Sequence, residues 1–192
     1  MSVSVQGAGA PRMTCLLPAP ASASPTSAQW RVAAQPDGTL QPRRDASTGP
    51  PQPPVASLFW EADRDASANG VLLPPQARDT FCVPGPAAGE WLLGALARWG
   101  LSPREYTECA SFWAPRMQRH AWVQVRALPQ AEWEALAPLA VAPPMQRTLR
   151  VFLAWRGCAE YSAGMDAGVL PQLPLPREGS WCVEWGGTEI EG

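Results

Sequence analysis

The chain has 192 residues, 46% of them hydrophobic, which fits one domain with a core of useful size. Fifteen basic residues stand against 17 acidic ones for a formal charge of −2, so no cationic stripe is available for phosphates or anionic lipid, and no nucleic-acid partner is expected. All the basic residues are Arg, which removes Schiff-base and P-loop lysine chemistry, and no apolar run approaches the roughly 20 residues needed to span a bilayer.

Residues 1–10, MSVSVQGAGA, lack an apolar face of any length and are expected to form a mobile tail. Residues 11–192 are expected to form a single domain. Arg12 to Leu17 reads as a short strand and Gln29 to Ala33 as another. Pro36-Asp37-Gly38-Thr39 is turn chemistry, because Pro fixes φ and Gly accepts a positive one, and it predicts a hairpin. From about 41 to 56 the sequence is polar and Pro-rich, the composition of a loop or disordered insertion. Ser57 to Glu61 is a strand with Leu58 and Trp60 on one face, and a polar turn follows from Asp65 to Gly70.

Trp91, Leu92, Ala95, Leu96 and Trp99 recur at helical spacing before Gly100, predicting a helix from about 86 with a left-handed cap. Ser102-Pro103-Arg104-Glu105 is a capping box with Pro at the first helical position. It predicts a second helix over 101–114 whose apolar face is Tyr106, Cys109, Ala110, Trp113 and Met117, with Pro115 ending or kinking it near Ala114. From Ala121 the period becomes two, with Val123 and Val125 opposite Trp122, Gln124 and Arg126, which predicts a half-buried strand. Pro129 to Leu136 reads as a helical turn or two, and Pro138 to Val141 as an extended piece. Leu149, Val151, Leu153 and Trp155 alternate through a strand that should be central in the sheet. Trp181 to Trp185 is a last strand, with Gly186-Gly187 as the turn that ends it. Strands on both sides of one helical hairpin, at about 86–117, indicate an α+β fold with a mainly antiparallel sheet or sandwich.

The series Trp30-Arg31-Val32, Leu58-Phe59-Trp60-Glu61, Trp113-Ala114-Pro115-Arg116-Met117, Arg150-Val151-Phe152 and Val183-Glu184-Trp185-Gly186-Gly187 resembles an uncharacterised bacterial protein family in order and spacing. The resemblance spans roughly residues 12–192 and departs from the family pattern in a short stretch between Leu17 and Trp30 and a Pro-rich insertion before Leu58. It implies one intact family unit and carries no activity, cofactor or catalytic residue.

The five cysteines, Cys15, Cys82, Cys109, Cys158 and Cys182, are widely spaced and odd in number, so neither a disulfide framework nor a zinc ribbon is indicated. They read as small buried hydrophobes in a cytoplasmic protein. Met13 to Leu17 is too short, and runs too soon into Pro18, for the apolar stretch of a signal peptide, although Ala21-Ser22-Ala23 imitates a cleavage site. His120 is the only histidine, which excludes a multi-His metal site and a two-His acid/base pair within one chain. A Cys–His dyad remains conceivable chemistry, but His120 at a helix end beside Arg116 and Arg119 reads more readily as a capping or surface residue.

Glu61 and Glu184 lie in strands beside Trp60 and Trp185, and two carboxylates close to Trp would suit glycoside hydrolysis. The plainer alternative is that each points to solvent or pairs with Arg150 or Arg156 across the sheet. Ten Trp residues supply core volume and stacking surface, and Trp122 and Trp133, with polar neighbours, are the two expected to be exposed. Taken together, no cofactor, no metal and no catalytic residue are expected. Glu61, Trp122, Trp133 and Glu184 are candidate binding residues for a protein or carbohydrate ligand, with a carboxylate-based hydrolase using Glu61 and Glu184 as the alternative.

Overall fold

The computed structural model describes residues 1–6, 12–43, 50–63, 69–74, 80–161, 163 and 177–190. In chain order the elements are β1 (Ser2–Gln6), β2 (Met13–Leu17), β3 (Ser22–Ser24), β4 (Ser27–Ala34), β5 (Leu40–Pro42), β6 (Phe59–Ala62), α1 (Asn69–Leu72), β7 (Thr80–Pro84), α2 (Ala88–Arg98), α3 (Pro103–Met117), β8 (Trp122–Leu128), α4 (Gln130–Leu136), β9 (Leu139–Ala142), β10 (Arg147–Cys158) and β11 (Trp181–Glu189). This is an α+β fold with mainly antiparallel sheets. The chain divides into two compact units, Met1–Ala66 with Ala131–Gln146, and Ser67–Gln130 with Arg147–Gly192.

In the first unit the strand order is β3-β4-β1-β9, with β5 also pairing β4. The segment expected as a mobile tail therefore contributes a strand inside this sheet: β1 pairs β4 from Ser2↔Arg31 to Gln6↔Ser27, and β9 on its other side. Val5 is buried with Ala28, Trp30 and Val32, so the short Ser-Val-Ser-Val alternation is a real apolar face. Residues 7–10 lie outside the described residues. Trp30 is fixed by its indole N–H donating to the Pro18 carbonyl at 2.7 Å. The expected hairpin forms as β4–β5, with Gly38 at φ 84° and Asp37 Oδ1 accepting the Thr39 N–H at 2.9 Å. Within the Pro-rich stretch, Val55 makes a backbone bridge to Leu40, and Gln41 Nε2 donates to the Gln52 carbonyl at 2.8 Å. Those parts are ordered by pairing, and residues 44–49 lie outside the described residues. β2 pairs β6, with Leu16, Leu58 and Trp60 packing onto the Trp30 cluster.

In the second unit the order is β11-β10-β8-β7, and β10 is an interior strand as its alternation predicts. The α2–α3 hairpin supplies the helical side of the core. Leu92, Leu96, Cys109 and Met117 are buried there with Val123, Val125, Leu153 and Trp155 of the sheet. Burying each Leu, Val or Met side chain contributes about 1.5–3 kcal/mol. The helix junction follows its sequence closely. Gly100 has φ 90°, its N–H reaches the Ala97 carbonyl at 3.1 Å, and the Leu101 N–H reaches Leu96 at 3.1 Å, the two bonds of a Schellman cap. Ser102 and Glu105 then form the capping box of α3, with the Ser102 N–H donating to Glu105 Oε2 at 2.8 Å.

Several expectations are corrected here. α3 continues through Pro115 to Met117, because a proline so near the end forfeits only one helical bond, and the Arg116 guanidinium also donates to the Phe112 carbonyl. β11 runs through Gly186 and Gly187 to Glu189 and pairs β10 in parallel. These glycines serve packing rather than a turn: a Cβ on Gly187 would lie 2.8 Å from the Leu153 carbonyl oxygen and 3.1 Å from the Trp113 ring. β8 is buried on both faces, with Gln124 and Arg126 as inaccessible as their apolar neighbours. β7, which the composition of Thr80–Pro84 does not announce, covers the outer side of β8 from Thr80↔Arg126 to Pro84↔Trp122.

Several aromatic pairs of the second unit meet edge to face, while Phe81 is tilted against Trp91 and Trp99. Trp91 and Trp99 meet at 6.2 Å and 83°, and Trp113 and Trp155 at 6.1 Å and 76°. Among the described residues, the buried indole N–H groups of Trp99, Trp113 and Trp155 meet no hydrogen-bond acceptor.

Candidate functional site

Strand alternation places Gln124, Arg126, Arg150, Glu184 and Thr80 on the sheet face opposite the helical hairpin. There they form a buried polar layer. Gln124 sits between two partners, donating from Nε2 to Thr80 Oγ1 at 3.2 Å and accepting from Arg156 Nε at 2.8 Å. Arg126 reaches the carbonyls of Val71 and Leu72 at 3.4 Å each. Arg150 and Glu184, directly paired in the β10–β11 register, form an ion pair at 2.6 Å with side chains 1% and 16% exposed. The Arg150 backbone N–H is taken by Gln130 Oε1 at 3.1 Å. Pairing with Arg150 is one of the arrangements, beside solvent exposure and pairing with Arg156, that the plainer reading of Glu184 allows.

Glu61 has a different setting. It lies on β6 of the first unit, exposed, opposite Cys15 of β2. The two candidate carboxylates thus belong to different compact units. Of the two Trp residues expected to be exposed, Trp133 is only 8% exposed and lies parallel to Trp60, with ring centroids 6.3 Å apart. That expectation is corrected: on the short helix α4 the flanking Glu132 and Glu134 fall on other sides of the helix, so polar sequence neighbours do not expose the indole. Trp122 is partly exposed and meets Tyr161, 62% exposed, at 5.3 Å and 69°. Sequence reasoning does not single out Tyr161, because it follows β10 in a stretch with no periodic pattern.

His120 sits just past α3, its N–H bonded to the Met117 carbonyl at 3.1 Å, with its ring 6.0 Å from Trp155 and Nε2 3.5 Å from Glu189 Oε1. Gly157 makes this possible, since a Cβ there would lie 2.0 Å from His120 Nδ1. Cys158, next along β10, points to the opposite face from Gly157 and hence away from the imidazole. None of the five cysteines forms a disulfide. Burial pushes the Cys109 thiol up to about 12, and burial followed by the Glu184 charge raises Cys182 against the opposing influence of Arg150. Thiols held protonated are poor nucleophiles and poor metal ligands.

A second ionic cluster holds the hairpin junction. The Arg177 fork donates to both Glu105 oxygens, at 2.8 and 2.6 Å, and to the Gly100 carbonyl. The Trp181 ring has two guanidinium groups near it, those of Arg147 and Arg177, each 5.6 Å from its centroid. A shallow, open depression on α3 is lined by Pro103, Arg104, Thr107, Glu108, Ser111 and Phe112. Among the described residues, no group of three or more His, Cys, Asp or Glu is placed to hold a metal ion, and no helix is long and apolar enough to cross a membrane. The chain matches no protein-family model, no curated protein and no solved structure.

Proposed function

We propose that this protein is a non-catalytic binding or structural domain, of the uncharacterised bacterial family its motifs resemble, and that its ligand contact is the Trp122–Tyr161 pair. The observation that carries this reading is the engagement of Glu184: a carboxylate tied at 2.6 Å to a guanidinium that is 1% exposed serves the sheet and would have to break that pair to act on a substrate. The Trp122–Tyr161 pair has the properties of a contact surface, since it offers two aromatic ring surfaces to solvent, and Trp and Tyr are favoured where apolar area must be presented with a polar handle. Five cysteines that form no disulfide favour a reducing, cytoplasmic setting.

The test pairs a ligand screen with a substrate screen. On a glycan array and a peptide array, Trp122→Ala and Tyr161→Ala should each weaken any wild-type binder by about tenfold or more, as loss of an aromatic anchor does. Nitrophenyl glycosides and esters should not be turned over. Should the wild type hydrolyse one of them, and Glu184→Gln or Glu61→Gln lose that turnover by about 100-fold without unfolding, the domain is a hydrolase and the reading is wrong.

A further inference from the structure

β11 is the outermost strand of the second unit's sheet, nine residues long and in unbroken parallel register with β10 from Arg147↔Trp181 to Trp155↔Glu189. Among the described residues no strand pairs its other edge. Proteins usually blunt such an edge with Lys, Pro or a bulge, because unpaired N–H and C=O groups recruit another strand. The sequence WCVEWGGTE contains neither Lys nor Pro, and its register has no bulge.

The strand is also self-complementary. Trp181, Val183, Trp185, Gly187 and Glu189 share one face by alternation. Set antiparallel against β11 of a second copy and centred on Trp185, the strand places Trp185 beside its own counterpart, Val183 beside Gly187, and Trp181 beside Glu189. Val183 then meets the place where the Trp113 indole packs over Gly187. The charges fit in the same register. Arg147 is exposed, its guanidinium 5.6 Å from the centre of the Trp181 ring, and the opposite end of the strand carries the partly exposed Glu189 carboxylate. Antiparallel pairing brings these opposite charges together twice, once at each end, as a two-fold axis requires. We infer that β11 is a homodimer interface through which two copies join their four-stranded sheets edge to edge. This inference is independent of the Trp122–Tyr161 contact, whose residues lie on β8 and beyond the end of β10.

The experiment uses the full chain, with mass measured by light scattering behind a sizing column over a dilution series. A dimer is expected, and reversing the charge with Arg147→Glu should raise its dissociation constant by about tenfold or more, since two contacts are converted to repulsion. Adding Glu189→Arg to that variant should restore the dimer, an outcome that a merely structural role for either residue would not produce. Circular dichroism and thermal melting confirm that each variant is folded. Hydrogen exchange gives a second readout that needs no variant, because the β11 amides directed away from β10 should become protected as concentration rises. A chain that stays monomeric throughout the series overturns the proposal. So does a dimer that Arg147→Glu leaves intact, or one in which β11 gains no protection.

Discussion

On one face of the second unit's sheet Leu149, Val151, Leu153 and Trp155 pack against α2 and α3, and on the other face of the same strands Gln124, Arg126 and Arg150 are equally shielded from water. The first face is buried by shape and apolar area, and the second by hydrogen bonds and an ion pair. The difference lies in how each face fails. An apolar layer tolerates changes of size better than the arrival of charge, whereas a buried polar layer is sensitive to the loss of one partner more than to the loss of both.

The largest expected effect follows from breaking the apolar face. Val151→Asp places a carboxylate among Leu149, Leu153 and the helical hairpin with no counter-ion, and cooperative unfolding should disappear in a urea titration followed by circular dichroism. A variant that melts cooperatively near the wild-type midpoint would mean that Val151 does not face the core. Next comes the polar face. Arg150→Ala removes the guanidinium that Glu184 holds at 2.6 Å and should cost about 3–5 kcal/mol, while Arg150→Met combined with Glu184→Leu should recover most of that loss. If the double variant is as unstable as the single one, the layer depends on Arg150 itself rather than on charge balance.

The same contrast explains what could be read in advance. The apolar stripe of α3, the Ser102–Glu105 box, the Gly100 cap and the β10 alternation were legible because each is a local pattern whose physics is settled within a few residues. The polar face was not. Gln124 and Arg126 read as solvent-facing by composition, and only β7, the carbonyls of Val71 and Leu72, and Arg156 show where their hydrogen bonds go. β1 failed for a related reason: a terminal Ser-Val-Ser-Val becomes a strand only because β4 and β9 flank it. Gly186-Gly187 looked like a turn, since the Trp113 ring that requires the missing Cβ lies far away in sequence. Of the candidate site residues, Glu184 was legible only as a choice between solvent, Arg150 and Arg156, because the β10–β11 register that selects Arg150 is not written in the local pattern, whereas Trp133 was misjudged from its neighbours and Tyr161 had no pattern to mark it.

A milder effect comes from the ion pair at the hairpin junction, which is partly exposed and titratable. Burial pushes the Glu105 carboxyl up, but hydrogen bonds from Arg177 and from the Ser102 N–H, together with the Arg177 charge, outweigh it and hold the group below its ordinary value of 4.5. A depressed carboxylate contributes stability that is fully present above the unfolded-state pKa and is lost as pH falls through the folded one. Stability from this pair should therefore be constant near neutrality and decline below about pH 4.5. Glu105→Gln should cost about 1.5 kcal/mol at pH 7, the low end for charge-assisted bonds because of partial exposure, and should flatten the acid limb of a midpoint-against-pH curve. An acid limb unchanged in that variant would assign the slope to other carboxylates.

The smallest effect isolates the other half of the same box. Ser102→Ala removes the hydroxyl that caps the start of α3, yet the Ser102 backbone N–H that donates to Glu105 Oε2 at 2.8 Å remains, and Arg177 still holds both carboxylate oxygens. Pro103 at the first helical position needs no N–H acceptor, so the helix start loses the Ser102 cap together with the hydroxyl's hydrogen bond to the Glu105 carboxylate. The expected cost is about 0.5–1 kcal/mol, within the usual range for a Ser cap and below that of Glu105→Gln. Chemical denaturation of both variants side by side checks the order. If Ser102→Ala proves the more damaging, the hydroxyl organises the junction, and Arg177 is secondary to it.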